Sequence, residues 1–339
     1  MVMSNIRDVL TSFSPSLDYL AISSGDGRVK KRRKPAGSLL ILGTGSGDVL
    51  ALDVSAGQLR WNIRDCHPGG ANAISFSTND LCIHTVGSDG MICKINPQTG
   101  IVLERLKVST KSLSSISFSP DGKMLVTAAS QLKVFNSDDH KKLHKFYGHP
   151  GLVRCLIFTE DGKYTLSCAS DERYIAMWGM NGDKKQSASG VLALEHPAVF
   201  IDSQCFENEG NEQKGHCVLA ISEIGDCYLW HGKNVDSLSA VIPTKILIPR
   251  DNVSINNRGF SPAIFSAKLL GIMNPTSIHV LVAYGLVVKP MFQKIVVHYG
   301  VDVRLNFSQD GILLPPGQSR IEKEKDMKIR GKDCYVSCH

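Results

Sequence analysis

The sequence predicts an all-β fold made of propeller blades, and three observations carry that expectation. A short phrase recurs down the chain, its last three copies at intervals of about forty residues, the spacing of a repeat architecture. Each copy lies among Asp-Gly or Ser-Asp turns and short runs of alternating β-branched and apolar residues, the pattern of antiparallel hairpins. Helical periodicity is almost absent from the 339 residues; only Ile321 to Arg330 could form a short, highly charged helix.

The recurring phrase is an aromatic, a small polar residue, a turn and then an apolar strand. It reads Phe13-Ser14-Pro15-Ser16 before LDYLAIS and Phe76-Ser77-Thr78-Asn79 before DLCIHTV. It returns as Phe118-Ser119-Pro120-Asp121-Gly122 before KMLVTAA and Phe158-Thr159-Glu160-Asp161-Gly162 before KYTLSCA. A second turn and strand follow: Ser88-Asp89-Gly90 before MICKI, and Ser170-Asp171-Glu172-Arg173 before YIAMW. Four short strands in each repeat make one blade. Residues 39–61 give three strands, LLILGTG, DVLALD and QLRW, with no opening strand. Residues 198–233 give another blade, with Gly225-Asp226 as its inner turn and Tyr228-Leu229-Trp230 in its third strand. Residues 265–298 supply LLGIM, HVLVAYGLVV and KIVVHY.

The stretch from Phe13 to Phe76 is too long for one repeat and too short for two. The first blade runs as far as Arg28-Val29-Lys30 and then meets Lys30-Lys31-Arg32-Arg33-Lys34-Pro35. The outer strand of that blade and the inner strand of the next have no candidate sequence. Either the chain is a shortened form of a longer protein, or the propeller is imperfect at this junction. Residues 1–300 are assigned to the propeller, interrupted near 30–38, and residues 301–339 to a charged, poorly structured tail. Five full or nearly full blades and one interrupted blade can be counted.

Composition narrows the class further. With 42% hydrophobic and 21% charged residues, the chain can bury a real core, which excludes wholesale disorder. A net charge of +6 and a pI of about 8.7 favour anionic partners without specifying one. The ten cysteines (Cys66, Cys82, Cys93, Cys155, Cys168, Cys205, Cys217, Cys227, Cys334 and Cys338) have no framework spacing and fall mostly in apolar runs. They read as reduced core thiols of an intracellular protein. Arg7 and Asp8 stand where a secretory signal needs its apolar stretch, and Lys268, Asn274 and Pro275 interrupt the most apolar region. A soluble protein is expected.

The blade around His149 resembles the WD-repeat family most closely. Gly148-His149 opens it and Met177-Trp178 closes it, where that family has Gly-His and Trp-Asp dipeptides; Gly179 replaces the final Asp. The resemblance implies a structural hydrogen-bonded network of His149, Ser167, Asp171 and Trp178, in which buried polar groups satisfy one another. The same residue types suggest a catalytic triad, but the repeat context favours the structural role. In the Phe76 blade His67, Thr85 and Asp89 occupy the comparable places, with Ile95 where Trp would be.

The order of the motifs is more specific than any one of them. SSGDGRVK, a basic run, LLILGTGSGDVLALD, SISFSPDGKMLVTAASQLKVF, KFYGHPGLVRCLIF and EHPAVFIDSQCFEN follow one another as in the family of WD repeat-containing protein 43, nucleolar subunits of the small-subunit processome, which they resemble. The resemblance implies a WD-repeat β-propeller of about seven blades in an intact member, one or two of them incomplete here. It further implies a C-terminal helical domain, before which this chain is expected to stop. The implied role is a non-catalytic scaffold in small-subunit ribosome biogenesis: pre-rRNA transcription and processing, and processome assembly in the nucleus and nucleolus. Partners would be other WD-repeat and helical processome subunits and the pre-ribosomal RNA leader, contacted directly or through them. The alternative is a generic WD-repeat adaptor, such as a ubiquitin-ligase substrate receptor.

Other motifs carry less. Gly43-Thr44-Gly45-Ser46-Gly47-Asp48 lacks the Lys-Ser/Thr of a phosphate loop and leads into a strand, so it reads as a hairpin turn. Cys334, Cys338 and His339 have no fourth ligand nearby, and no metal site is expected. The run Lys30, Lys31, Arg32, Arg33 and Lys34 reads as a nuclear-targeting or RNA-contact segment or as a solvated loop; the family resemblance favours targeting. Lys141, Lys142, Lys145 and Arg154 add scattered positive charge without interleaved aromatics. No catalytic residue, cofactor, membrane or small-molecule substrate is expected.

Overall fold

A computed structural model describes residues 9–13, 19–24, 39–53, 56–78, 81–129, 131–180, 185–206, 215–246, 264–274, 277–286, 289–298 and 321–323. Among them the strands gather into six sheets, each built largely as an antiparallel meander. The first contains β1 (Val9–Phe13), β2 (Tyr19–Ser24), β3 (Leu39–Gly43), β4 (Val49–Asp53) and β5 (Gln58–Ile63). Strands β2 and β3 run parallel, from Tyr19 opposite Leu39 to Ser23 opposite Gly43, whereas the other neighbours are antiparallel. The break seen in the repeat pattern is thus closed by one sheet: two strands of one repeat and three of the next share it. The basic run Lys30, Lys31, Arg32, Arg33 and Lys34 lies outside the described residues.

The second sheet is β6 (Ala71–Phe76), β7 (Ile83–Gly87), β8 (Met91–Ile95) and β9 (Val102–Lys107). The third has β10 (Ser115–Phe118), β11 (Met124–Ala128), β12 (Leu132–Asn136) and β13 (Lys142–Phe146); the fourth begins with β14 (Val153–Phe158), β15 (Tyr164–Ala169) and β16 (Tyr174–Gly179). Strand β17 (Lys185–Gln186) then adds to β13 in parallel, and β18 (Gly190–Ala193) completes the fourth sheet. The fifth consists of β19 (Ala198–Phe206), β20 (Gly215–Ser222), β21 (Cys227–Gly232) and β22 (Thr244–Ile246), with one helical turn, α1 (Val235–Leu238), before its last strand. The sixth is β23 (Ile264–Asn274), β24 (Ser277–Leu286), β25 (Lys289–His298) and β26 (Ile321–Lys323).

The recurring phrase owes its shape to local turn chemistry. Ser119 Oγ donates to Asp121 Oδ1 at 2.6 Å, and the same carboxylate oxygen accepts the Lys123 amide at 3.1 Å. Thr159, Asp161 and Lys163 repeat this at 2.6 and 3.1 Å. Each Asp thereby fixes the turn for the left-handed glycine that follows, Gly122 at φ 71° and Gly162 at φ 68°.

Burial falls from the inner to the outer strands. Every residue of β3 and β7 is buried, whereas β5 and β9 are largely exposed. The apolar faces of neighbouring sheets close on one another. Ile41 and Val49 of the first sheet pack with Phe76, Ile83 and Ile95 of the second. Val86 and Ile92 pack with Leu113, Leu125 and Phe135, and Val134 and Phe146 with Val153 and Trp178. Each such side chain contributes about 1.5–3 kcal/mol when fully buried.

By contacts the chain divides into two compact units, one running to Val199 and the other from Phe200. The sequence-based boundary near residue 300 falls inside the second. Ile321–Lys323, expected to begin a helix in the tail, is instead the strand β26, with Ile295 opposite Lys323 and Val297 opposite Ile321. Pairing satisfies the backbone groups along the edge of β25, which a solvated helix would leave open. Among the described residues no helix is long and apolar enough to cross a membrane.

Candidate functional site

The polar centre of the fourth blade is built from three of its elements. Gly148-His149 lies between β13 and β14, Ser167 is in the middle of β15, and Trp178 is near the end of β16. Trp178 Nε1 donates to Ser167 Oγ at 2.7 Å, and His149 Nε2 lies 2.7 Å from the same oxygen. His149 Nδ1 lies 2.6 Å from Glu172 Oε2. An indole can only donate and a carboxylate only accept, so with a neutral imidazole the protons run in one direction: indole to hydroxyl, hydroxyl to Nε2, and Nδ1–H to Glu172. The structure therefore brings His149, Ser167 and Trp178 together.

It does not bring Asp171 to them. Asp171 sits at φ 64° on the tip of the β15–β16 turn and is exposed, so its side chain points to solvent. The acid that reaches His149 is the next residue, Glu172, which is 8% exposed. One extra residue in this turn, compared with Ser88-Asp89-Gly90, moves the inward-facing position along by one, and the longer Glu side chain spans the gap. Glu172 Oε1 also accepts the Gly151 amide at 3.2 Å.

Aromatic packing seals the network. The Tyr174 ring stacks on His149 with centroids 5.9 Å apart, and Trp178 meets His149 edge-on at 5.6 Å. Burial, together with the Glu172 carboxylate, pushes the Tyr174 phenol up to about 12. A Cβ on Gly148 would come within 2.8 Å of Trp178 Cη2, so the glycine before the histidine is a packing requirement of the indole. Ser167 is fully buried and its oxygen is engaged on both sides. It cannot meet a substrate, and the geometry serves stability.

The second blade carries a related centre. His67 Nδ1 lies 3.0 Å from Asp89 Oδ1 and His67 Nε2 lies 2.7 Å from Thr85 Oγ1. Ile95, fully buried, stands in the place of Trp178, so no indole reaches the Thr85 hydroxyl. Cys66 precedes His67, and Cys93 is the cross-strand partner of Thr85. Hydrogen bonding from Cys93 and His67 holds the Cys66 thiol below its ordinary range against burial. Sequence reasoning missed Glu172 and these two thiols; the available signals were the lengthened turn and the adjacency of Cys66 to His67.

The glycine-rich segment is the hairpin between β3 and β4. Gly47, at φ 99°, lies so close to the next loop that a Cβ would come within 1.9 Å of the His67 carbonyl oxygen, and that glycine's own carbonyl accepts the His67 amide at 2.9 Å. Cys334, Cys338 and His339 lie outside the described residues.

Comparison with known proteins agrees with this geometry. The WD domain, G-beta repeat family matches residues 100–136 and 140–179, stretches that hold β9–β12 and β13–β16. The chain is similar to WD repeat-containing protein 43 of Homo sapiens, with 30% identity over 186 residues, 50% of this chain and 28% of that protein. It is also similar to pre-mRNA-processing factor 19 homolog 2 of Arabidopsis thaliana, with 30% identity over 140 residues, 40% of this chain and 26% of that protein. The similarity thus spans little more than a quarter of either relative's length. The matched family is one of binding repeats, and no catalytic family is indicated. The chain accordingly carries WD repeats at residues 100–136 and 140–179, and its four-stranded antiparallel sheets have the form of WD β-propeller blades.

Proposed function

We propose that this WD-repeat scaffold serves nucleolar small-subunit ribosome biogenesis, as a non-catalytic subunit in pre-rRNA transcription, processing and processome assembly. The observation that carries the reading is the ordered similarity to WD repeat-containing protein 43 over 186 residues. In this reading blade surfaces hold segments of neighbouring WD-repeat and helical subunits, the run Lys30, Lys31, Arg32, Arg33 and Lys34 directs the chain to the nucleus, and basic surface meets the phosphates of the pre-ribosomal leader.

The third blade supports an anionic partner. Lys133 of β12 stands directly opposite Lys145 of β13, with Lys142 on the same strand as Lys145. The Lys133 ammonium donates to the Val108 carbonyl at 2.7 Å, which leaves Lys142 and Lys145 as the cations of this face for an anion to meet. Partial burial and the charges of Lys145 and Lys142 push the Lys133 ammonium down from its ordinary value. The Lys145 ammonium sits 4.6 Å over the ring of Tyr147, which is 42% exposed. Cations beside an exposed ring suit a nucleic-acid strand better than a purely aliphatic surface does.

The test is imaging of the tagged chain together with crosslinking to RNA in cells. Nucleolar enrichment and crosslinks to early pre-ribosomal RNA are expected; exclusion from nucleoli without such crosslinks would overturn the reading. A general WD-repeat adaptor, for example a substrate receptor of a ubiquitin ligase, is the second reading. The similarity to a pre-mRNA-processing factor favours it, because the repeat is common to proteins of different assignments.

A further inference from the structure

We propose that Cys66, His67 and Cys93 form a zinc-binding site inside the second blade. Both thiol sulfurs and a ring nitrogen of His67 lie within 4.8 Å of one another, and all three residues are fully buried. Their backbones are fixed. His67 N–H donates to the Gly47 carbonyl and the His67 carbonyl accepts the Gly70 amide, each at 2.9 Å, while Cys93 is in the centre of β8.

Comparison with the fourth blade shows that this cluster replaces a filled space. Around the Ser167 hydroxyl the fourth blade has Gly148, Ala176 and the indole of Trp178. Around the Thr85 hydroxyl the corresponding residues are Cys66, Cys93 and Ile95. The indole has been exchanged for a smaller aliphatic side chain and two sulfurs, and the donor that completes the fourth blade's network has gone. On the far side of the ring, at His67 Nδ1, the Asp89 carboxylate holds the imidazole through Oδ1, which also accepts the Met91 amide.

The chemistry fits a divalent zinc ion. Two thiolates cancel its charge, so the complex is neutral within an apolar cluster of Ile41, Val49, Ile83 and Ile95, where a net charge would be strongly disfavoured. Zinc–sulfur bonds of about 2.3 Å and zinc–nitrogen bonds of about 2.0 Å require tetrahedral donors on the order of 3.5–4 Å apart, reached here by small rotations of side chains. Binding releases the two thiol protons to solvent, and the imidazole binds in its neutral form. His67 Nδ1–H stays on Asp89, which orients the ring, while Nε2 exchanges its hydrogen bond to Thr85 for the ion. Thr85 Oγ1, which lies 2.7 Å from Nε2, is placed to complete the coordination.

The experiment uses the full chain purified without chelator, with metal content measured by mass spectrometry and cobalt(II) exchanged in as a spectroscopic probe. The proposal predicts about one zinc per chain, a thiolate-to-cobalt charge-transfer band, and a Tm that falls on treatment with chelator. Cys93→Ala should lose zinc and the band, while Cys155→Ala, which alters a thiol outside the cluster, should keep both. Folded wild-type chain that takes up neither zinc nor cobalt overturns the proposal, as does a folded Cys93→Ala chain that retains the ion with an unchanged spectrum. Should Cys93→Ala fail to fold, the wild-type metal content and cobalt spectrum decide alone.

Discussion

Glu172 and Asp171 are neighbours of similar chemistry, and the structure predicts sharply different consequences for replacing them. The Glu172 carboxylate accepts hydrogen bonds from His149 at 2.6 Å and from the Gly151 amide at 3.2 Å, in a site that is 8% exposed. A hydrogen bond to a charged group contributes about 1.5–3 kcal/mol, and a buried donor left unpaired costs about 1–3 kcal/mol more. Glu172→Ala, which strands both donors, should therefore destabilise the chain by about 3–5 kcal/mol. Glu172→Gln keeps an acceptor oxygen but loses the charge, and should cost roughly 1–2 kcal/mol. Asp171 is exposed at φ 64°, a backbone that Asn adopts readily, so Asp171→Asn should stay within about 0.5 kcal/mol of the parent. Urea unfolding followed by tryptophan fluorescence gives the ranking directly. Equal destabilisation by Asp171→Asn and Glu172→Gln would refute the assignment of Glu172 as the acid of the network.

Three further outcomes follow from the same geometry. Ser167→Ala removes the partner of both Trp178 Nε1–H and His149 Nε2 and should cost about 2–4 kcal/mol by the same assay; a loss under half a kilocalorie would mean that water replaces the hydroxyl. Burial, with Lys94 and His140 adding to it, holds the His84 imidazole down at about 3. Its native ring stays neutral while the unfolded ring takes a proton below about 6.5. Stability is therefore full above that pH and is lost as pH falls towards 3, by up to about 1.4 kcal/mol per pH unit. His84→Phe should flatten this acid slope, measured as stability against pH, and an unchanged slope would contradict the account. Lys142→Glu with Lys145→Glu should weaken RNA binding in filter-binding titrations and reduce its dependence on salt, because phosphate contacts release counterions; unaltered affinity and salt slope would place the RNA elsewhere.

How far the sequence discloses this molecule depends on whether a feature is local. The Ser119-Asp121-Lys123 and Thr159-Asp161-Lys163 turns are legible because each is settled by hydrogen bonds within a few residues. His149, Ser167 and Trp178 can be picked out because strand and turn lengths fix their spacing. Asp171 misleads because one additional turn residue changes which carboxylate faces inward, a matter of backbone conformation that residue type does not display. The union of β2 with β3 in parallel has no local signature at all, since each strand alone is compatible with an ordinary hairpin. Ile321–Lys323 reads as helical from its charged pattern, yet the open edge of β25 decides its conformation. Cys66 and Cys93 have no metal-ligand spacing in the sequence; only the register that sets Cys93 opposite Thr85 brings them together.

The most direct test of the scaffold role is affinity purification of the tagged chain from cells, with co-purifying proteins identified by mass spectrometry and bound RNA by sequencing. The account predicts small-subunit processome proteins together with pre-ribosomal leader RNA. Recovery of ubiquitin-ligase subunits in their place, with neither ribosome-assembly factors nor leader RNA, would contradict it.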